Sequence, residues 1–538
     1  MRHTTVFSSF NLLFAAVRCA SLPNFEARCT ALAKGVYLGT SRPVTVNFAQ
    51  YLPANSILNL TAEGLHPTCV NPFFSPPPIP VDLCRLSLKV ATSNDSSVAM
   101  EAWFPTNWTG RYLTTGNGGI AGCIQYPDMA YGASYGFATI GTDNGHSGMI
   151  GEPFFHHPQV LEDFVWRAIS TGTAVGKEVT KRFYGKQHSK SYYFGCSTGG
   201  RQGWKAAQSN PNLFDGIVVG APALTFGANI AWIGIVVQTF GDNSTDTFLT
   251  EDQWSTVHQE VISQCDKLDG AVDGILEDTR KCKLDLTPLL CNNTPSANPN
   301  CLSKPQYSAV QKIFSPLIVN GHLISPGANW GYEVPFSQTA SNPITQSTIA
   351  DWFRYVVAED PNWDLSSLTP DLAVAVQQAN PFNVETFDGD LTSFRDRGAK
   401  ILHWHGQADP TVANGISNEY YAHVQKTMNA STAELDEFYR YFRISGMGHC
   451  TGGDGASLIG QTFGLAASDE PDDNVLMRIV QWVERGEAPD VVRGTRFVND
   501  DPAQGVAFRR RHCKFPLSNV YTGTGNGTDE EGWRCVEP

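Results

Sequence analysis

A glycine-bounded motif between an apolar segment and a helical one constrains this sequence more than any other feature. Gly195-Cys196-Ser197-Thr198-Gly199 follows three aromatic residues with strand character and precedes a segment with helical character. A serine in this setting fits a tight, strained turn whose hydroxyl projects above a sheet, and side chains at positions 195 and 199 would crowd that turn. The motif predicts that Ser197 is an exposed nucleophile in an α/β fold.

The surrounding pattern supports an α/β core. Short apolar segments alternate with helical ones from about residue 100 to 220, as in parallel β-α-β units, and the alternation resumes near residue 400. The last helix of the pattern is amphipathic. We expect strands at 112–114, 137–141, 191–195, 216–219, 400–405 and 439–444, and helices at 161–183, 199–209 and 474–485.

Residues 222–395 interrupt this alternation with mixed helices, four closely spaced cysteines and loops containing Trp, Asn and Pro. We interpret this segment as an inserted lid domain. Residues 21–221 and 396–538 then form the catalytic domain, which we expect to be an α/β-hydrolase core. Hydrophobic residues at 41% and charged residues at 17% supply enough apolar material for such a core and exclude wholesale disorder.

Two downstream segments offer a base for Ser197 and a carboxylate to orient that base. Asp409 follows the predicted strand at 400–405, and His449 follows the predicted strand at 439–444. A serine hydroxyl is a weak nucleophile until a positioned histidine accepts its proton. Ser, Asp and His in this chain order are typical of an α/β-hydrolase, so we predict that these three residues are catalytic. Taken singly, the alternatives are a helix cap at Asp409 and an ordinary loop histidine at His449.

Cysteines adjoin both the nucleophile and the base. Cys196 immediately precedes Ser197, and Cys450 immediately follows His449. A disulfide between them would hold the two loops together, so we favour that bridge over separate pairings or free thiols.

A glycine-rich segment is the leading source of an oxyanion donor. Gly116-Asn117-Gly118-Gly119 follows a predicted strand, and its amide at Gly118 would act together with the amide of Thr198. The alternative is a plain tight turn. The segment lacks the spacing of a nucleotide-binding loop, so we expect no nucleotide cofactor.

The N-terminus has the pattern of a secretory signal peptide at residues 1–20. Arg2 and His3 precede an apolar stretch at 6–17, and small residues follow around Ala20. This stretch is shorter than the ~20 residues of a membrane-spanning helix. Of 13 cysteines, loss of Cys19 leaves 12, an even number that suits six disulfides in a secreted protein. Seven glycosylation sequons support an extracellular location: Asn59, Asn94, Asn107, Asn243, Asn292, Asn429 and Asn526.

The net charge of −14 disfavours two classes of partner. Phosphate backbones and anionic lipid surfaces repel a chain of this charge, so we expect neither nucleic acid nor membrane as a partner.

An acidic segment in the insert is a candidate calcium loop. Asp266, Asp269 and Asp273 lie among glycines after Cys265, and hard oxygen ligands on a sharply turning loop suit Ca²⁺. The segment is not an EF-hand, although Glu277 falls at the twelfth place. The alternative is a solvated acidic turn closed by a local disulfide between Cys265 and Cys282.

Zinc fits the sequence poorly, because no CxxC pair or HExxH motif occurs. Cys291 and Cys301, like the first pair in the insert, are spaced as a local bridge. The histidine pairs 156/157 and 403/405 are weak metal candidates, and packed or surface histidines explain them more simply.

Together these motifs resemble the tannase and feruloyl esterase family of secreted fungal enzymes. The resemblance is carried by residues 195–200, the Asp409 segment and residues 448–450, and it extends from about Cys29 to Cys535. It implies an α/β-hydrolase domain with a large lid, a Ser-Asp-His triad and a disulfide beside the triad. It further implies disulfides that pair Cys29 with Cys84, Cys69 with Cys123, and Cys513 with Cys535.

The resemblance also implies a structural Ca²⁺ in the lid, with the ligands Asp266, Asp269, Asp273 and the carbonyls of Ala271 and Ile275. It implies hydrolysis of feruloyl or coumaroyl esters of plant cell-wall polysaccharides such as xylan. The close alternative is a tannase acting on galloyl esters. Another class of protein, a secreted non-catalytic glycoprotein that binds polysaccharide, has no need of an activated serine, and a peptidase is a weaker alternative.

Overall fold

The computed structural model describes residues 24–35, 43–291, 299–462 and 466–537. The predicted signal peptide and the sequon at Asn292 lie outside these residues. The strands are β1 (Val44–Leu52), β2 (Leu83–Ala91), β3 (Ser97–Pro105), β4 (Arg111–Thr115), β5 (Phe137–Thr142), β6 (Lys190–Cys196), β7 (Gly216–Gly220), β8 (Leu317–Val319), β9 (His322–Ser325), β10 (Lys400–Gly406), β11 (Tyr439–Ile444), β12 (Val491–Phe497), β13 (Val506–Cys513), β14 (Ser518–Tyr521) and β15 (Trp533–Val536).

The α-helices are α1 (Phe25–Leu32), α2 (Tyr126–Ser134), α3 (Pro158–Glu162), α4 (Ala168–Tyr184), α5 (Thr198–Ser209), α6 (Phe226–Phe240), α7 (Glu251–Cys265), α8 (Lys304–Ile313), α9 (Glu333–Ser341), α10 (Pro343–Trp352), α11 (Pro370–Ala379), α12 (Thr392–Asp396), α13 (Gly415–Thr427), α14 (Thr432–Asp436) and α15 (Val475–Arg485).

The central sheet of the described chain has nine strands in the order β1-β2-β3-β5-β4-β6-β7-β10-β11. Pairing is antiparallel from β1 to β5 and parallel from β5 to β11. Each strand predicted from the sequence is a member of this sheet, and the α/β-hydrolase fold is confirmed.

The strands that carry the site are buried on both faces. All residues of β5 and β7 are buried, and β6 is buried after its first residue, because helices cover the sheet. Among these helices, α5 packs against β6 and β7, and α15 packs against β7 and β10. Strands buried in this way have continuous apolar sequences, which is why the short segments were recognisable.

All three predicted helices differ from the structure at an end or in the interior. The helix expected from Gly199 begins one residue earlier, at Thr198. The helix expected at 161–183 contains a π-helical turn over Asp163–Arg167, between α3 and α4. The Asp163 carboxylate there accepts hydrogen bonds from Arg167 Nε at 2.5 Å and from the Thr92 hydroxyl at 2.6 Å. Apolar periodicity carries no signal for such a buried polar contact. The helix expected from Asn474 begins one residue later, because Asn474 is its N-cap.

The 222–395 segment, called the insert below, contributes no strand to the central sheet in its described residues. It contains α6 to α11 and the hairpin β8–β9. Within it, α6 packs against α9, α10 and α11. In the sequence, these helices lie between β7 and β10.

Six disulfides link the described cysteines in the expected pairs. The bridges are Cys29–Cys84, Cys69–Cys123, Cys196–Cys450, Cys265–Cys282, Cys291–Cys301 and Cys513–Cys535. In the same part of the chain, no helix combines the length and apolar character that crossing a bilayer requires.

Candidate active site

Ser197 lies on a strained turn between β6 and α5. Its backbone has φ 63° and ψ −123°, a region that costs energy for any residue with a side chain. The turn is held because the Ser197 amide donates to the Gly220 carbonyl on the neighbouring strand at 3.0 Å. A Cβ on Gly195 would come 2.9 Å from the Gly199 carbonyl carbon, and a Cβ on Gly199 would come 2.9 Å from the Asn117 carbonyl oxygen. The two glycines are therefore required for close packing.

Asp409 and His449 meet because their strands are adjacent. β10 and β11 pair in parallel, with Gly406 opposite Ile444, so the loops after both strands emerge at the same edge of the sheet. His449 Nδ1 lies 2.7 Å from Asp409 Oδ2. An ionised carboxylate only accepts hydrogen bonds, so Nδ1 carries the proton and Nε2 of the neutral ring is left as the acceptor.

Asp409 is surrounded by N–H donors. Its Oδ1 accepts from the amides of Thr411 at 2.7 Å and Val412 at 2.8 Å, and its Oδ2 accepts from His405 Nε2 at 3.1 Å as well as from His449. Burial works against ionisation, but the charge of His449 and these hydrogen bonds hold the pKa of Asp409 well below its usual range. Asp409 thus caps a turn and also orients a histidine.

The predicted disulfide joins the nucleophile loop to the base loop. Cys196 and Cys450 are 254 residues apart in sequence, yet their Cα atoms lie 6.0 Å apart across the bridge. Cys450, like Ser197, has a backbone φ of 63°. The bridge therefore fixes Ser197 and His449 relative to each other through covalent structure.

Ser197 and His449 line the same cavity, which has a volume of about 440 Å³. Among the described residues, no hydrogen bond joins the Ser197 hydroxyl directly to the imidazole. Catalytic hydrogen bonds are often long in a protein without substrate and tighten when substrate binds.

The glycine-rich segment predicted as an oxyanion loop lies against the nucleophile. Gly118 and Gly119 line the cavity together with Thr198. The Thr198 hydroxyl donates to the Gly119 carbonyl at 2.7 Å, and the Asn117 amide donates to Gln202 Oε1 at 3.0 Å. The segment is thus a loop braced by α5.

Sequence reasoning missed two side chains that hold this loop. Gln202 donates to Asn144 at 2.8 Å, and Asn144 in turn donates to the Ala121 carbonyl at 2.9 Å. The position of Gln202, in the second turn of the helix that follows the nucleophile, is the signal that could have revealed its role.

His403 and His405 are packed side chains, as the simpler interpretation held. Both are fully buried on one face of β10, and both lie near the Ser417 hydroxyl on α13. Across the described chain, no three His, Cys, Asp or Glu side chains are grouped closely enough to hold a metal ion.

The acidic loop folds around its own backbone. Asp266 accepts from the Gly274 amide at 2.9 Å, and Asp269 accepts from the Ala271 amide at 2.9 Å. Burial raises the pKa of Asp269 to about 7, and the charges of nearby acidic residues add to the rise.

One cation faces this loop. Arg510 from β13 contacts Asp273 and Glu277, and its Nη1 lies 2.7 Å from the Glu277 carboxylate. Glu277, at the twelfth place of the loop, is therefore paired with Arg510.

The insert supplies much of the cavity wall opposite Ser197. Ile230 and Ile233 come from α6, and Ile344 and Ile349 come from α10. The same helices add Phe226 and the polar side chains of Asn229, Thr345 and Thr348 to the wall.

Comparison with known protein families identifies the family that this chain matches. The model of the tannase and feruloyl esterase family matches residues 84–536. The chain belongs to this family. The predicted resemblance is confirmed.

This family member has relatives over nearly its whole length. It is 48% identical over 521 residues to feruloyl esterase C of Talaromyces stipitatus, covering 96% of each chain. It is 47% identical over 515 residues to probable feruloyl esterase B-2 of Aspergillus terreus, covering 95% of each. Homologues with these names make the chain a carboxylic ester hydrolase.

Solved structures agree with the sequence relatives. Feruloyl esterase B from Aspergillus oryzae superposes with a TM-score of 0.89 at 44% identity, covering 95% of this family member and 100% of that chain. Tannin acyl hydrolase from Aspergillus niger superposes with a TM-score of 0.72 at 22% identity, covering 95% of each, and shows a shared fold.

Proposed function

We propose that this protein is a secreted serine esterase that hydrolyses hydroxycinnamoyl esters, such as feruloyl and coumaroyl esters of plant cell-wall polysaccharides. The single observation that supports it most is the 2.7 Å bond from His449 to Asp409 beside a cavity that Ser197 also lines. The names of the relatives point to the same substrate class.

The reaction is acyl transfer through an acyl-enzyme. His449, oriented by Asp409, accepts the Ser197 proton while Ser197 Oγ attacks the ester carbonyl. The amides of Thr198 and Gly118 stabilise the oxyanion. His449 then returns the proton to the leaving alcohol, and a water molecule, activated by the same histidine, releases the acid and restores Ser197.

The apolar part of the cavity wall suits a hydroxycinnamoyl group, although polar residues of the insert, Asn229, Asn342, Thr345 and Thr348, line the same cavity. Ile230, Ile233, Ile344 and Ile349 offer apolar surface to a planar ring and its methoxy substituent. A galloyl ring carries three hydroxyl groups, and each one that loses water without gaining a partner costs about 1 to 3 kcal/mol.

Secretion is part of the proposal. The N-terminal pattern, the six disulfides and the sequons support it. The six sequon asparagines in the described residues are all exposed, as attachment of a glycan requires: Asn59, Asn94, Asn107, Asn243, Asn429 and Asn526.

A structural Ca²⁺ in the acidic loop is also proposed. Carboxylates such as those of Asp266, Asp269 and Asp273 are the ligand type that a hard cation prefers, and Arg510 pairs with only one of them, Asp273. In this structure the three side chains are not grouped closely enough to hold an ion, so binding would have to draw them together. The carbonyls of Ala271 and Ile275 would complete the shell. The ion would stabilise the insert and supply no step of the reaction.

Parallel rate measurements test the substrate. We expect methyl ferulate and methyl coumarate to be hydrolysed with a higher kcat/KM than methyl gallate, and the Ser197→Ala variant to hydrolyse none of them. A preference for gallate would overturn the substrate proposal, and full activity of the variant would overturn the serine mechanism.

A further inference from the structure

A buried chain of hydrogen bonds leads from Asp409 into the protein core. His405 Nε2 lies 3.1 Å from Asp409 Oδ2, and His405 Nδ1 lies 2.7 Å from Ser417 Oγ. Ser417 Oγ lies 3.0 Å from His403 Nε2, and His403 Nδ1 lies 3.0 Å from the Tyr439 hydroxyl. The chain joins three elements, β10, α13 and β11, and every member is fully buried.

The acceptor groups at the Asp409 end determine which atom donates and which accepts in every hydrogen bond of this network. His405 Nε2 faces Asp409 Oδ2 and the Val412 carbonyl, also at 3.1 Å, and both groups only accept. Nε2 therefore carries the proton, and in a neutral ring Nδ1 must accept from Ser417. The Ser417 oxygen then accepts from His403 Nε2–H, and His403 Nδ1 accepts from the Tyr439 hydroxyl.

The surroundings keep His403 and Tyr439 neutral. Burial, and then the neighbouring His405 ring, hold the pKa of His403 well below its usual range. Tyrosine rings pack around His403, and burial raises the pKa of Tyr439 well above its usual value. The titratable groups that face these hydrogen bonds from the packed elements are Asp409, His449, Tyr332, Tyr420, Tyr421, Tyr439 and Tyr441.

We propose that His405, Ser417, His403 and Tyr439 are positioning residues whose directed hydrogen bonds hold the Asp409 carboxylate in the orientation that His449 requires. The inference rests on the proposed function of Ser197, Asp409 and His449. With His405 in place, each Asp409 oxygen accepts two N–H groups, so rotation of the carboxylate would break all four bonds. None of the four residues touches the reacting atoms.

Removing a donor from this chain changes how Asp409 serves the base. Without the Ser417 hydroxyl, His405 loses the partner that fixes its ring, and Asp409 loses a reliable second donor on Oδ2. Its pKa then rises. A more basic Asp409 stabilises the protonated imidazole, which is the inactive form, so the acid limb of the rate profile moves to higher pH.

Two neighbouring buried tyrosines provide a matched test. Tyr439 ends the chain of hydrogen bonds, whereas Tyr421 packs against Tyr439 with ring centroids 5.3 Å apart and its hydroxyl does not join that chain. We expect Tyr439→Phe to lower kcat about threefold and Ser417→Ala about tenfold, each with little change in KM and with the acid limb shifted upward. Tyr421→Phe should match the wild type.

His405 variants separate positioning from packing. His405→Gln keeps a side-chain N–H donor and should retain the wild-type acid limb better than His405→Leu, which keeps none. NMR of protein labelled with ¹⁵N-histidine should show neutral rings protonated at Nε2 for both His403 and His405.

The outcomes distinguish this inference from the proposed function. If Asp409→Asn abolishes turnover but Ser417→Ala and Tyr439→Phe keep the wild-type profile, the positioning role is wrong. Protonation of His405 at Nδ1 alone would also overturn it. If Asp409→Asn is fully active, the proposed mechanism itself fails.

Discussion

Asp409 and the acidic loop at 266–277 both bury carboxylates, but they compensate the charge in different ways. Burial opposes ionisation at Asp409, yet the charge of His449 and four N–H donors, one of them on His449, hold its pKa well below the usual range. Burial dominates at Asp269, whose pKa rises to about 7. The number and charge of the donors, and not burial alone, therefore decide whether a carboxylate stays anionic. The donors around Asp409 thus keep it anionic, whereas those around Asp269 do not offset its burial.

The largest expected effect comes from neutralising Asp409. Asp409→Asn should lower kcat/KM by about 10⁴-fold, because an amide no longer selects the Nδ1–H tautomer of His449. The loss should appear mainly in kcat, measured with methyl ferulate, and the melting temperature should show whether the variant is folded.

A buried carboxylate away from the cavity serves as the control. Asp473 pairs with Arg493 at 2.5 Å and is 1% exposed. Asp473→Asn should cost stability but leave kcat/KM near the wild-type value. An equal loss of activity in both variants would mean that burial of charge, and not its place beside His449, matters.

Cutting the covalent link beside the site should have the next largest effect. The double variant Cys196→Ala, Cys450→Ala should lose about 10²-fold in kcat, because displacement of the base by about 1 Å has this cost. The matched control removes the Cys513–Cys535 bridge near the C-terminus. Both variants should melt earlier than the wild type, and near-normal turnover in the first would contradict the proposed role of its bridge.

Calcium removal should change stability and not turnover. If Ca²⁺ fills the acidic loop, dialysis against a chelator should lower the melting temperature by about 5 °C, and added Ca²⁺ should restore it. Asp269→Asn should lose stoichiometric Ca²⁺ in metal analysis, whereas Asp278→Asn, which breaks only ion pairs with Arg280 and Arg443, should keep it. Metal-free wild type after mild dialysis would remove the calcium proposal.

The smallest expected effect is on the pH dependence of stability, and it comes from Glu333, a buried carboxylate whose charge is compensated by a histidine. Glu333 is fully buried and lies 2.5 Å from His258, and this hydrogen bond raises the pKa of His258. The pair therefore contributes stability fully below the ordinary histidine pKa of about 6.5, and the contribution is lost as pH rises through the raised value.

The expected size is below about 1 kcal/mol, because His258 is partly exposed. Unfolding in denaturant at about pH 5 and about pH 8 should show a smaller pH dependence for His258→Gln than for wild type. Equal pH dependence in the two proteins would contradict the assignment.

The sequence predicted the part of the site that depends on chain order and glycine. Gly195 and Gly199 predicted the tight turn at Ser197. The strands predicted before Asp409 and His449 indicated that both residues lie at one edge of the sheet. The adjacent cysteines indicated the bridge. Each of these signals is local, or follows from the rule that parallel strands align their ends.

The contacts that sequence could not predict run between distant elements. Ser417 meets His405 only because α13 packs over β10, and Gln202 meets Asn117 only because α5 packs beside the loop after β4. The contact of Asp163, in the π-helical turn at 163–167, with Thr92 is likewise a contact between distant elements. The apolar periodicity that predicts helices says nothing about which polar side chains face one another.

Labelling with a fluorophosphonate tests the central claim most directly, since only an activated serine reacts quickly. Peptide mapping of the wild type should find one adduct, on Ser197, with none in Ser197→Ala and much slower labelling in Asp409→Asn. Equal labelling of wild type and Ser197→Ala, or an adduct on another serine, would contradict the account.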